Sequence, residues 1–139
     1  MVGLLVVTHG SLAEELVAAA KRIVGDVPAM EAIAFGWDED VSTASRTLEE
    51  AIRRNDEGQG VLILTDMFGG TPTNLSLTFH QRGKVEIVTG VNLPMIIKFT
   101  NLRGAENLEE VAARICEQGR KSIQAATEIL RTGADKGAA

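Results

Sequence analysis

Two hydrophobic patterns alternate along the chain. Residues 3–8, 30–35, 61–65 and 85–89 are short, predominantly apolar runs. Between them, apolar residues recur every three or four positions, first as Leu12, Ala13, Leu16, Val17, Ala20, Ile23 and Val24, then as Val41, Ala44, Leu48, Ala51 and Ile52. The short runs read as strands and the spaced ones as amphipathic helices. Runs 3–8 and 61–65 are apolar throughout, as strands covered on both faces are. Strand and helix in alternation predict βα units and a parallel sheet.

Local signals refine these elements. Ser11, with Glu14 three places on, predicts a capping box at the first helix. Thr71 reads as the N-cap of a short helix over 73–81, with Pro72 in its first turn and Gly83 as its stop. Residues 93–101 suggest a short apolar helix, and Asn107 the cap of a longer one whose first turn holds Glu109 and Glu110. After Gly119 two readings stay open: Ile123, Ala126 and Leu130 fit a continued helix, whereas 122–127 fit a strand. One domain over 1–130 and a flexible tail over 131–139 are expected.

Four strand–helix units form a doubly wound open α/β sheet, with strand order 2-1-3-4 and helices on both faces. Such sheets bind ligands beyond the carboxyl ends of their strands, where the order reverses. That point lies between the first and third strands. Thr8-His9-Gly10 follows one of them, and Asp66-Met67-Phe68-Gly69-Gly70-Thr71-Pro72 follows the other. His9 and Asp66 are therefore expected to face each other across one crevice.

A neutral imidazole is a nucleophile at physiological pH, with one ring nitrogen free to attack while the other donates a hydrogen bond. Asp66 would hold that second nitrogen protonated and steady the charge that develops on the ring. Gly69, Gly70 and Thr71 suit phosphoryl oxygens, because glycines admit close backbone approach and a helix start points N–H groups outward. Gly10 removes bulk beside His9.

Each signal also has an ordinary explanation. A histidine after a strand can be a polar end residue, Asp66 an Asx-turn, and Gly-Thr-Pro plain turn-and-cap chemistry. Their joint position at the switch point is what favours a site. His80 reads as a surface residue and Cys116 as a small buried one. Trp37, beside Asp38 and Glu39, either lines the rim of the site or closes a hydrophobic seam.

Composition narrows the classes. A chain of 139 residues with 45% apolar content can build one core without disulfide or metal. Its net charge of −5 offers no basic patch for nucleic acid. Its apolar runs fall far short of the ~20 residues of a membrane-spanning helix, so no direct membrane insertion is expected. No secretory signal is visible, and a cytoplasmic location is expected.

Val7-Thr8-His9-Gly10, Leu64-Thr65-Asp66-Met67-Phe68-Gly69-Gly70-Thr71-Pro72-Thr73-Asn74 and Thr89-Gly90-Val91-Asn92-Leu93-Pro94-Met95 together resemble the signatures of mannose-family IIA domains of the sugar phosphotransferase system (PTS). The resemblance spans roughly residues 1 to 130. It implies that His9 accepts a phosphoryl group from the phosphocarrier HPr and passes it to a IIB protein. It makes Asp66 the partner of the His9 ring, has Thr71 and its neighbours contact the phosphoryl group, and puts Phe68, Asn92 and Pro94 at the rim. It implies no cofactor or metal, and a homodimer exchanging a late antiparallel strand, expected over 122–127. Many such proteins continue through a linker into a IIB domain, so a separate IIB protein is expected here.

Rival readings are a regulatory phosphohistidine protein, the subunit that phosphorylates a dihydroxyacetone kinase, and a flavin or nucleotide module. The Phe68–Pro72 loop favours the mannose type over the kinase subunit. A nucleotide module would want a phosphate-binding glycine fingerprint that is missing. A histidine phosphatase would want an arginine where Thr8 stands.

Overall fold

The computed structural model describes residues 1–102, 104 and 106–133. Its elements run β1 (Gly3–His9), α1 (Leu12–Val24), β2 (Met30–Phe35), α2 (Val41–Asn55), β3 (Val61–Thr65), α3 (Gly70–Leu77), β4 (Val85–Thr89), α4 (Leu93–Leu102), α5 (Leu108–Lys121) and α6 (Ala126–Thr132). The four strands form one parallel sheet in the order β2-β1-β3-β4, as expected. Val7 pairs with Thr65 across β1 and β3, and His9 pairs with Phe35 across β1 and β2.

Successive residues of a strand point to opposite faces, so the central strands feed two cores. Leu4, Val6, Leu62 and Leu64 pack with Ala13 and Val17 of α1, Ile96 and Phe99 of α4, and Val111 and Ile115 of α5. Leu5, Val7 and Ile63 pack on the other face with Ala44, Leu48 and Ala51 of α2 and Leu75 of α3. Each fully buried Leu, Ile or Val stabilises the fold by about 1.5–3 kcal/mol. The double-sided burial of β1 and β3 therefore fixes whatever stands at their carboxyl ends.

Polar ties complete the frame. Asp40 caps α2 by accepting from Thr43 N–H (3.0 Å), and Asn107 caps α5 by accepting from Glu110 N–H (2.9 Å). On the far side of the sheet, Arg54 donates to Glu31 in a fork, Nε to Oε1 at 3.1 Å and Nη2 to Oε2 at 2.6 Å. Asn55, buried at the end of α2, donates to the same Oε1 (2.9 Å) and to the Ala51 carbonyl (2.8 Å). The Arg54 hydrogen bond is the main reason that the Glu31 carboxyl is held below its usual range.

Several local expectations are corrected. Ser11 stands at the N-cap of α1 but makes no side-chain cap. The buried Thr8 hydroxyl accepts from Ala13 N–H instead, at 2.7 Å. The start of α3 is formed by Gly69 and Gly70, with φ of +93° and +82°, and not by Thr71. Glycine enters this left-handed backbone without steric cost. The same helix stops at Leu77, four residues early, because Phe79 and His80 continue in tighter turns and Gln81 bridges Val85.

Residues 122–125 are neither helix nor strand, and α6 follows. The exchanged strand expected over 122–127 is not formed within the chain, as Ala126 and Thr127 open α6. Helix α6 runs into the expected tail as far as Thr132; the rest of that tail, 134–139, lies outside the described residues. Cys116 is half-buried in α5 rather than enclosed.

Candidate active site

His9 is the last residue of β1 and its one residue that is not fully buried. Asp66 follows β3 directly, and its carboxylate turns back to the neighbouring strand. Oδ2 of Asp66 accepts from the His9 backbone N–H at 3.1 Å and lies 2.8 Å from Nδ1 of the same residue. A carboxylate only accepts, so Nδ1 carries the hydrogen and the lone pair resides on Nε2. The His9 and Asp66 side chains are 25% and 14% exposed, so the pair is largely removed from solvent while the ring keeps an opening. Oδ1 of Asp66 is buried without a hydrogen-bond partner among the described residues.

Nε2 faces the start of α3. A Cβ on Gly70 would lie 2.8 Å from Nε2 and 2.9 Å from Cε1, closer than side-chain atoms come, so glycine is required there by space as well as by φ. The N–H groups of Gly69, Gly70 and Thr71 have no intrahelical acceptor by their position. Gly69 supplies no side-chain cap, and Pro72 has no N–H to leave unpaired. The loop is held from below by Thr73, whose hydroxyl donates to the Met67 carbonyl and lies 2.8 Å from the Thr65 hydroxyl.

The indole of Trp37, just beyond β2, stacks on the His9 imidazole, with centroids 5.3 Å apart and planes 24° from parallel. Trp37 thus belongs to the rim and not to a seam; it is 78% exposed. Phe68, 77% exposed, reaches from the Asp66 loop toward an apolar groove of about 480 Å³ beside β4, lined also by Leu77, Ile87, Met95 and Ile123.

The structure therefore brings His9, Asp66, Gly10, Gly69, Gly70 and Thr71 to one end of the sheet. Asn92 is occupied elsewhere: its Oδ1 accepts from Met95 N–H (3.2 Å) and its amide donates to the Gly119 carbonyl (3.3 Å). Pro94 sits exposed in the first turn of α4. His80 lies apart, 3.5 Å from Glu86 and half exposed. Among the described residues, no three His, Cys, Asp or Glu side chains gather as metal ligands.

Sequence reasoning missed Thr8, Thr65 and Thr73 as supports. The available signal was the placement of Thr8 and Thr65, each the last residue of its apolar run and immediately before His9 or Asp66.

The fold is thus a doubly wound α/β domain with a carboxylate-held histidine at its switch point. Residues 3–116 match the family model described as the PTS system fructose IIA component, and the chain belongs to this family. It is similar to the PTS system fructose-specific EIIA component of Bacillus subtilis strain 168, at 27% identity over 131 residues, covering 94% of this chain and 90% of that protein. It is also 29% identical over 126 residues to the PTS system mannose-specific EIIAB component of Escherichia coli K12, matching 89% of this chain but only 39% of that longer protein. Among solved structures, the PTS IIA protein associated with the fucose utilization operon from Streptococcus pneumoniae superposes with a TM-score of 0.82. That pair is 27% identical, and the match covers 93% of this chain and 96% of that one. No helix among the described residues is long and apolar enough to cross a membrane.

Proposed function

We propose that this IIA component carries its phosphoryl group on Nε2 of His9, taking it from HPr and giving it to a separate IIB protein. The observation that carries this reading is the division of labour on one ring: Nδ1 on the Asp66 carboxylate, Nε2 free and against the start of α3. In the forward step the Nε2 lone pair attacks phosphorus, and the bond from phosphorus to the donor's imidazole breaks, its electron pair returning to the donor nitrogen. His9 keeps its Nδ1 hydrogen and becomes imidazolium-like, which Asp66 favours electrostatically. The N–H groups of Gly69, Gly70 and Thr71 are suited to the incoming oxygens. Transfer to IIB reverses these roles.

The same reading includes a cytoplasmic location and a homodimer. The dimer is supported by the edge position of β4 and the apolar groove beside it, in whose lining Ile123 is 79% exposed. Exchange of residues 122–127 between subunits would cover that edge.

Incubation with phosphoenolpyruvate, enzyme I and HPr is expected to label the protein in an acid-labile, base-stable manner. His80→Ala should label normally, since that ring lies outside the site. A wild-type chain that takes no label refutes the reading.

A further inference from the structure

Trp37 is the only tryptophan of the chain and one of its most exposed apolar side chains, yet it is held against the reactive ring. Its place follows from three constraints. The register sets Phe35 beside His9, and Gly10 N–H donates to the Phe35 carbonyl at 2.9 Å, so the chain leaving β2 passes next to the imidazole. The turn is then closed by Glu39, whose Oε2 accepts from Gly36 N–H at 3.1 Å, and by Asp40 capping α2. Gly10 borders the indole, since a Cβ there would lie at van der Waals contact with it, 3.8 Å from Nε1.

Such an exposed indole adds little to the fold, so its position calls for another account. We infer that Trp37 is a positioning residue for phosphoryl transfer: its stack holds the His9 ring plane, and its π face stabilises the imidazolium-like ring that phosphorylation creates. The inference rests on His9 being the phosphoryl carrier. Asp66 and Trp37 then constrain different freedoms of one side chain. The carboxylate fixes which nitrogen is free, and the indole fixes the plane in which that nitrogen points. A cation is drawn to the face of an indole, while a neutral ring gains less from it. The stack therefore favours the phosphorylated state over the resting one.

The test compares Trp37→Leu and Trp37→Phe with the wild-type chain, using phosphoenolpyruvate, enzyme I and HPr, with circular dichroism to verify folding. Trp37→Leu is expected to accept phosphoryl about 3- to 30-fold more slowly, with Trp37→Phe within about 2-fold of wild type. Because the protein has a single tryptophan, its emission should change when the wild-type chain is phosphorylated and stay constant in His9→Ala. Wild-type rates in Trp37→Leu, equal losses in the Leu and Phe variants, or emission indifferent to phosphorylation would each overturn the inference while leaving His9 as carrier. A wild-type chain that takes no label would overturn both.

Discussion

Two carboxylates, Glu31 and Asp66, sit near opposite ends of the sheet and are used in opposite ways. Glu31 uses both oxygens: Oε1 accepts from Arg54 and Asn55, and Oε2 accepts from Arg54 again. Asp66 concentrates both its donors on Oδ2, the backbone and the ring of a single histidine, and leaves Oδ1 buried without a partner among the described residues. A buried acceptor left unpaired costs free energy that a purely structural carboxylate would avoid. The first arrangement ties α2 to β2. The second orients the single ring of His9 at some expense to the fold.

Substitutions can break this contrast, and the largest effect belongs to the ring itself. His9→Gln is expected to abolish acid-labile labelling altogether, with a melting temperature close to wild type because the side chain is at the surface end of β1. Asp66→Ala should follow, slowing transfer from HPr by about 100-fold or more, since an unrestrained ring loses both tautomer and direction. Rapid-quench measurement of the labelling rate decides it, and an unchanged rate would remove Asp66 from the mechanism.

Gly70→Ala comes next. It forces a Cβ against Nε2 and strains a residue at φ +82°, so labelling should fall at least about 10-fold and stability by about 1–2 kcal/mol. Denaturant unfolding and labelling of the same sample separate the two effects. Glu31→Gln is the smallest and sharpens the comparison from the other side, as transfer should be unaffected.

Glu31 should instead reveal itself through pH. Its folded carboxyl is held below the ordinary 4.5, chiefly by Arg54. The stabilisation it gives is thus fully present above that ordinary value and is lost as pH falls through the lower folded one. Melting curves across acid pH should show a component of destabilisation in the wild-type chain that Glu31→Gln lacks.

Most of the sheet was legible because strand identity here follows from apolar runs. The bounds of β2, β3 and β4 coincide with runs 30–35, 61–65 and 85–89, and the order 2-1-3-4 is the one expected of a flavodoxin-like doubly wound sheet. What escaped was decided by longer reach. The cap of α1 comes from Thr8, five residues before the N–H it serves, and it displaces the local Ser11–Glu14 motif. The start of α3 depends on two successive left-handed glycines, which Thr71-Pro72 concealed. His9 and Asp66 could be paired from topology alone, because each immediately follows a central strand. The Trp37 stack could not, because it needs the β1–β2 register and a turn closed by Glu39. Asn92 shows the reverse difficulty: its motif is recognisable, but its amide is spent on capping α4 and holding α5.

His9 is mounted on a rigid, buried strand. Strand β1 is enclosed along its length until that final residue, whose backbone is pinned by Asp66. A side chain anchored in this way has no arm with which to swing between two visitors. Any pair of proteins that exchange phosphoryl through it must take turns on the same ground, so an excess of either one should competitively exclude the other.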